Sequence, residues 1–306
     1  MAKGVAFQEY SPLAHAGRVL DLWERTLGNA YPVTPRVFLC RAGGHTGYEA
    51  GDGLVAMEGD TLLGFGLAEI DRHALGAGTT GHVAVLLVDP QRQRQNIGCR
   101  LLEGIEKRLR AAGCNRVCVA GNPMRFWTGL PEALPAARAF FLRQGYAVTG
   151  ASPDMVHPLG SYAMEPRYRE RLDAAGVRVV SATLDDTGPM LAFQTREFAG
   201  WRRNLLVMLA AGDVDNILLV KHGEEIIGTI TAFTPQSRFR NANLVWERIH
   251  GADMGGYGAV GMAEAWRGKG LGAAMSQAAA LHVQSRGATC CYIDWVGPRE
   301  FYEKLG

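Results

Sequence analysis

The feature of this 306-residue chain that most constrains its fold is an internal repeat over nearly the whole length. Three features of the first half recur in the second half, in the same order and at nearly the same offset. They are a strand–turn–strand pattern (55–64 and 219–228), a short loop segment (93–98 and 267–272) and an aromatic segment ending in glycine (139–145 and 300–306). A repeat of this kind indicates two related structural units. The length agrees with two domains of about 150 residues each.

The hydrophobic pattern of the first half predicts alternating strands and helices. The predicted elements are strands at 5–8, 82–88, 116–120 and 146–149, a hairpin at 54–70 that turns at 58–60, and helices at 12–27, 97–112 and 135–144. The segments 28–52 and 121–131 are rich in glycine or proline and lack periodicity, so we predict loops there.

The second half contains a glycine-rich turn between an apolar run and a long alanine-rich helix that ends near Ser285. Such a turn presents backbone N–H groups and the positive end of the helix dipole to an anion. Its glycines allow left-handed backbone angles and a close approach to a phosphate. The spacing excludes a P-loop and the dinucleotide-binding fingerprint. The residues of the turn are Arg267, Gly268, Lys269, Gly270, Leu271 and Gly272.

This turn, Arg-x-x-Gly-x-Gly between strand and helix, resembles the acyl-CoA pyrophosphate loop of the GNAT superfamily of N-acetyltransferases. The segments that follow it resemble the rest of that family's core: an apolar strand at 289–294, then Phe-Tyr-x-x-x-Gly at 301–306. The resemblance implies an α/β protein (α+β mixed sheets) with two GNAT-like domains in tandem. We expect these domains at 1–160 and 161–306, with the boundary in the Pro-, Tyr- and Arg-rich stretch 152–169.

The two copies of the loop are not equivalent. The first copy has Asn96 where the second has Gly270, and Phe141 where the second has Tyr302. Asparagine tolerates left-handed angles, so the turn is expected to survive, but a phenylalanine ring cannot donate a proton. The resemblance therefore implies that the second half is catalytic, and that the first is either a cofactor-binding relic or a scaffold. An arginine cluster at 92, 94 and 100 suits either a phosphate or a solvated helix start.

The end of the second copy differs from the family pattern. The family's core continues past its last helix into two more strands, and we expect the first half to do so after Gly145, whereas this sequence ends at Gly306. The second domain is therefore expected to lack its terminal strands. A shortened sequence, the segment 146–149 or another chain would each account for the gap.

The resemblance also implies roles for individual residues. Acetyl-CoA is the expected cosubstrate, bound by the loop and by the backbones of Val260 and Met262. A backbone N–H at that strand would polarise the thioester carbonyl. Tyr302 matches the family's general acid, which protonates the leaving sulfur. The general base is less well specified: Asp294 ranks first because it ends a strand beside the cleft, and the other candidates are Glu264, Asp253, Glu247 or a water relay.

The resemblance favours an acetyl-CoA-dependent N-acetyltransferase acting on a primary amine of a small molecule, such as an amino sugar, an aminoglycoside-like compound or an amino acid. A non-catalytic acyl-CoA sensor and a protein-modifying acetyltransferase are the alternatives. Several aromatic residues suit either an acceptor wall or ordinary core packing. They are Phe126, Trp127, Trp201, Phe239, Trp246, Tyr257 and Trp295.

Composition narrows the class of partner. The formal net charge is +2, which gives no overall reason to expect binding to nucleic acid or to a membrane. The six cysteines show neither paired spacing nor metal-ligand spacing, so we expect free thiols, no metal site and a reducing compartment. Neither a signal-peptide pattern nor a membrane-spanning run is present. These observations predict a cytoplasmic protein, monomeric or homodimeric.

Overall fold

The computed structural model describes residues 4–43, 52–70, 79–122 and 124–305. The chain divides into two units, Met1–Ala151 and Ser152–Gly306, and each contains its own sheet. The division lies at the amino-terminal edge of the stretch 152–169, in which the sequence places the domain boundary. The two units are described separately below.

The first unit has a five-stranded mixed sheet in the order β1-β2-β3-β4-β5. Neighbouring strands are antiparallel except for the parallel pair β4 and β5. The elements are β1 (Ala6–Glu9), α1 (Pro12–Leu27), α2 (Pro35–Ala42), β2 (Gly53–Glu58), β3 (Thr61–Ile70), β4 (Thr79–Val88), α3 (Ile97–Ala111), β5 (Cys114–Val119) and α4 (Pro135–Arg143). The predicted hairpin at 54–70 and the predicted helices at 12–27, 97–112 and 135–144 are confirmed.

Two predictions for the first unit are wrong. The segment predicted as a loop over 28–52 contains α2, which Thr34 caps by accepting a hydrogen bond from the Val37 N–H at 3.3 Å. This helix is too short to show a clear period; residues 44–51 lie outside the described residues. The segment predicted as a strand at 146–149 has no strand structure. Side chains hold it instead, because Tyr146 packs on Phe141 and donates to Glu106 at 2.8 Å.

The second unit has a six-stranded mixed sheet in the order β6-β11-β10-β9-β8-β7, in which only β10 and β11 run parallel. Its strands are β6 (Met155–Pro158), β7 (Val177–Ser181), β8 (Ile217–His222), β9 (Glu225–Phe233), β10 (Met254–Met262) and β11 (Cys290–Ile293). Its helices are α5 (Pro166–Ala174), α6 (Thr187–Glu197), α7 (Arg202–Ala211), α8 (Glu247–His250), α9 (Leu271–Ser285) and α10 (Arg299–Glu303).

Strand β6 occupies the edge at which terminal strands were expected to be missing. The neighbour of β11 is instead β6, which precedes the rest of the unit in sequence and pairs antiparallel from Met155–Ile293 to Pro158–Cys290. Of the sources considered for this edge, the segment 146–149 does not supply the strand, because β6 lies a few residues later and belongs to the second unit.

Equivalent contacts confirm the repeat. In the first unit a Cβ on Gly64 of β3 would lie 2.8 Å from Leu101 of α3. In the second unit a Cβ on Gly228 of β9 would lie 3.3 Å from Met275 of α9. Helices α3 and α9 each contain 15 residues and begin at a left-handed residue. Both halves therefore place the same glycine-bearing strand under the same helix.

Candidate active site

Strands β10 and β11 diverge part-way along their length. Their pairing ends at Gly256 and Tyr292, whereas β10 continues to Met262. The pairing of β10 with β9 is interrupted by a bulge between Gly258 and Gly261, within which Ala259 has φ +48°. Val260 therefore has no register partner on either neighbouring strand described. The family resemblance implied a cofactor-binding role for this backbone, and that role stays a prediction.

The side chain of Asn243 sits where the two strands separate. Its Nδ2 donates to the carbonyl oxygens of Tyr257 on β10 and Tyr292 on β11, each at 3.2 Å, and the residue is buried. A Cβ on Gly256 would overlap the Tyr292 carbonyl oxygen and lie 2.9 Å from Asn243 Cβ, so the close approach requires glycine there. Sequence analysis missed Asn243, because nothing in the local pattern links it to strands that follow it.

The glycine loop has the geometry expected of an anion nest. Gly268 and Gly270 have φ +75° and +72°, and Gly270 is the amino-terminal cap of α9. The cationic side chains of the loop are anchored. Arg267 Nε donates to the Met262 carbonyl at 3.0 Å, and Lys269 Nζ lies 4.3 Å from the centroid of the Trp266 ring. Recognition of a phosphate would therefore rest mainly on the loop's backbone N–H groups.

Arg171 adds a further positive charge beside this loop. It lies on α5, and its Nη1 donates to the carbonyl oxygen of Gly270 at 3.2 Å. A Cβ on Gly270 would lie 2.5 Å from that nitrogen, so a side chain at this left-handed position would displace the Arg171 guanidinium. Sequence analysis did not single out Arg171, because α5 begins within the stretch interpreted as a domain boundary and has no counterpart among the described residues of the first unit.

The corresponding loop of the first unit keeps the turn with only one of the three glycines, Gly98. Arg94 and Asn96 have φ +62° and +64°, as the sequence predicted for asparagine. Two of the three clustered arginines have structural contacts. Arg92 makes a bidentate pair with Glu58 at 2.7 and 2.9 Å, and Arg100 stacks on Phe7 at 4.0 Å. The cluster is therefore not three cations directed at one anion.

A groove of about 350 Å³ in the first unit lies where its β4 and β5 diverge. Its lining is mostly apolar and includes Val85, Leu87, Ala120 and Phe141. No phenol stands at the position of Tyr302, because Phe141 is buried in the core there. The first unit thus has a groove at the same place in its sheet, with a phenylalanine where the second unit has Tyr302.

Tyr302 lies on α10 and is partly buried against the core of the second unit. Burial raises its pKa above the ordinary value of about 10, and the nearby Ser276 hydroxyl lowers it. The phenol is therefore protonated throughout the neutral range. It lines a cavity of about 40 Å³ together with Tyr257, Tyr162 and Cys291.

The carboxyl end of β11 brings two carboxylates close together. Asp294 is half-buried there, and Asp154, which directly precedes β6, lies across from it in the antiparallel register. Asp154 accepts hydrogen bonds from the Tyr292 phenol at 2.6 Å and from the Trp295 N–H at 3.3 Å. Burial first, and then Asp154, raise the pKa of Tyr292, so this phenol remains a donor. Sequence analysis did not single out Asp154, because the pairing of β6 with β11 is long-range.

The other predicted bases lie elsewhere. Glu247 forms an ion pair with Arg240 at 3.6 Å, and both side chains are buried. Asp253 is exposed and precedes β10, at the end of the strand opposite the glycine loop. Glu264 is exposed on the short turn between β10 and the loop. The structure therefore brings only Asp294 of the four predicted carboxylates to the carboxyl end of β11.

Two of the aromatic residues considered as an acceptor wall, Trp201 and Trp295, have exposed surface in the second unit. Trp201 stacks on Phe198 with 4.7 Å between ring centroids and an interplanar angle of 8°, and both rings pack against Gly261 of β10. Trp295 is 53% exposed at φ +53°, an unfavourable conformation for tryptophan, whereas its counterpart Gly121 has φ +69°. Four of the other aromatic residues considered as an acceptor wall are buried instead: Phe126, Phe239, Trp246 and Tyr257.

Within the described ranges, every helix is too short or too polar to cross a lipid bilayer. No group of three or more His, Cys, Asp or Glu side chains is arranged to hold a metal ion in those ranges.

Comparison with known proteins agrees with this architecture. The acetyltransferase (GNAT) family model matches residues 18–146 and 188–306. A GCN5-related glucosamine N-acetyltransferase region of a fungal multi-domain GH3 β-N-acetylglucosaminidase superposes with a TM-score of 0.92 at 21% identity. That match covers 100% of this chain but only 37% of the fungal chain.

Two further structures resemble the full tandem arrangement. A GCN5-related N-acetyltransferase from Sphaerobacter thermophilus has a TM-score of 0.61 at 16% identity, covering 99% of this chain and 91% of that one. A tandem GNAT protein from the clavulanic acid biosynthesis pathway has a TM-score of 0.63 at 14% identity, covering 99% and 94%. Among curated protein sequences no match is found. With two matched regions that together span most of its length, the chain belongs to the acetyltransferase (GNAT) family, whose acyl donor is acetyl-CoA.

Proposed function

We propose that this protein is an acetyl-CoA-dependent N-acetyltransferase of small primary amines and that its second unit carries the chemistry. The observation that carries the proposal is the divergence of β10 from β11, which opens beside Val260 and continues into the glycine loop. Tyr302 is the matching proton donor in that unit. The first unit has the same divergence but has Asn96 in its loop and Phe141 in place of the phenol.

In this proposal the acyl donor binds along β10. Backbone N–H groups of 268–272 would hold its pyrophosphate, with Arg171 adding charge beside Gly270. The backbone of Val260 would face the thioester, and that of Met262 the pantetheine arm. A preorganised N–H aimed at the carbonyl oxygen contributes roughly 3–4 kcal/mol to lowering such a barrier.

Acetyl transfer requires two proton movements. The thioester supplies an activated acetyl carbon and a thiolate leaving group: a C–N bond forms as the C–S bond breaks. Tyr302 would give its phenolic proton to the departing sulfur. The base that neutralises the attacking ammonium would be one of the two carboxylates at the end of β11, Asp294 or Asp154. Glu264 is not proposed as the base, because its side chain is exposed on the turn that leads into the loop.

An amino sugar is the acceptor we propose to test first. Exposed rings at Trp201 and Trp295 suit the flat face of a sugar, and the nearby carboxylates suit its ammonium group. The fungal structure with TM-score 0.92 is described as a glucosamine N-acetyltransferase region, which supports the same choice. The formal net charge of +2 gives the chain no general attraction for nucleic acid. We propose a small amine as its partner and the cytoplasm as its compartment.

The experiment is a CoA-thiol release assay with acetyl-CoA and a panel of amines, followed by mass spectrometry of the products. The panel contains glucosamine, an aminoglycoside, free amino acids and a lysine peptide. We expect turnover on the small amines, with glucosamine first, and a product heavier by one acetyl group. Acetyl-CoA binding without turnover on any amine would overturn the enzyme assignment in favour of a sensor. Turnover restricted to the peptide would overturn the small-molecule assignment.

A further inference from the structure

A buried serine lies beside the phenol that we assign as proton donor. Ser276 is on the second turn of α9 and is 1% exposed. Its hydroxyl makes no well-aligned hydrogen bond within the part of the chain that the structure describes, although it lies close enough to two phenols to lower their pKa. Leaving a buried hydroxyl unpaired is costly, so such a group calls for a function or a partner.

Two tyrosines flank this serine. Tyr257 of β10 and Tyr302 of α10 line the same cavity of about 40 Å³. Burial raises the pKa of both phenols, and for both the Ser276 hydroxyl acts in the opposite direction. Other titratable groups that line the cavity are Tyr162, His157 of β6 and Cys291 of β11.

The repeat provides an independent observation. At the offsets of the loop and of the aromatic segment, Tyr257, Ser276 and Tyr302 correspond to Val83, Leu102 and Phe141 of the first unit. Those three residues belong to one apolar core cluster. All three hydroxyl groups are thus present in one unit and all three are missing from the other. This joint difference indicates that the hydroxyls act together.

We propose that Ser276 is a positioning residue for the proton donor, linking the phenols of Tyr257 and Tyr302 so that the Tyr302 proton faces the leaving thiolate. Tyr257 donates to Ser276, and Ser276 donates to the oxygen of Tyr302. The phenolic hydrogen of Tyr302 then moves to the sulfur, giving a thiol and a phenolate. The phenolate keeps the Ser276 hydrogen bond and regains its proton from water. The inference rests on the proposed function of Tyr302.

The test compares Ser276→Ala with a matched change on the same helix, Ser285→Ala. The exposed Ser285 hydroxyl donates to the His282 carbonyl at 2.8 Å and lies away from the tyrosines. We expect Ser276→Ala to lower kcat about three- to tenfold, the usual worth of one hydrogen bond, with an unchanged KM for acetyl-CoA. Because Ser276 lowers the pKa of Tyr302, its removal should move the alkaline limb of the kcat profile to higher pH. Ser285→Ala should change neither quantity.

A double-variant comparison keeps the result interpretable. In a Tyr302→Phe background, Ser276→Ala should have no further effect on kcat, because the group that it orients is already gone. Additive losses, or an unshifted alkaline limb in the folded single variant, would overturn the inference. If Ser276→Ala does not fold, Tyr257→Phe removes the other donor of the proposed hydrogen-bond series. It should then show the same non-additive loss of kcat when combined with Tyr302→Phe. Full activity of Tyr302→Phe alone would refute the proposed general acid instead.

Discussion

At the scale of single residues, the same backbone turn is made in the two units from different amino acids. Gly268 and Gly270 adopt left-handed angles, and Arg94 and Asn96 adopt nearly the same angles in the first unit. A non-glycine residue there costs on the order of 1 kcal/mol, which the first unit tolerates. What separates the units is therefore access to the backbone, because glycines leave the N–H groups open to a phosphate.

This difference predicts where acetyl-CoA binds. Gly270→Val would place a branched side chain at φ +72° and against Arg171, so isothermal titration should show that the main binding event is lost. Gly98→Val changes the first loop at the counterpart of Gly272 and should leave that binding event in place. Loss of binding in the Gly98 variant with retention in the Gly270 variant would reverse the assignment of the working unit.

Sequence reasoning at this scale was accurate where the signal was local. The glycine loop and the left-handed Asn96 could be predicted from adjacent residues alone. Asp154, Arg171 and Asn243 could not, because each reaches its partner through contacts far apart in sequence. The role proposed for Tyr302 came from the family resemblance and stays a prediction.

At the scale of elements, the segment between β9 and β10 determines how Asn243 reaches the divergence of the strands. Asp213 accepts hydrogen bonds from the N–H groups of Arg238 and Phe239, at 3.0 and 2.8 Å. Farther along, a buried ion pair between Arg240 and Glu247 joins two parts of the same segment. A rigid connection of this kind holds the Asn243 amide against both strands. The sequence pattern did not reveal it, since the segment lacks periodicity.

The buried ion pair gives a prediction about stability. Glu247→Gln leaves the Arg240 charge buried without its counter-ion, and breaking such a pair by removing one partner costs about 3–5 kcal/mol. Urea denaturation should therefore show a lower midpoint, while kcat per folded molecule remains within about twofold of the parent. The double change Arg240→Met with Glu247→Leu should recover most of the loss. A kcat loss of a hundredfold or more in folded Glu247→Gln would instead identify Glu247 as the base.

At the scale of the whole molecule, the second sheet is completed by a strand that precedes it in sequence. Strand β6 pairs with β11, and the adjoining Leu159 is buried in the core of the second unit, its N–H donating to Thr289 at 2.8 Å. The tandem order was readable from the repeat, whereas this strand was not. Four residues with weak alternation are indistinguishable from a linker until their long-range partner is known.

This arrangement predicts which fragment folds. A fragment of residues 152–306 should unfold cooperatively in urea, because it contains all six strands of its sheet. A fragment of residues 161–306 lacks β6 and Leu159 and should be less stable by about 3 kcal/mol or more. Circular dichroism during the titration measures both. Equal midpoints for the two fragments would contradict the structural role of β6.

The turnover number of Tyr302→Phe, measured with acetyl-CoA and the best amine, decides whether this phenol donates the proton. The change removes one hydroxyl and keeps the ring. We expect kcat to fall about 10²–10⁴-fold with little change in acetyl-CoA affinity. Phe141→Tyr is the built-in control and should leave kcat unchanged, because its unit lacks the glycine loop. A folded Tyr302→Phe variant that binds acetyl-CoA and turns over at the parent rate would contradict the account.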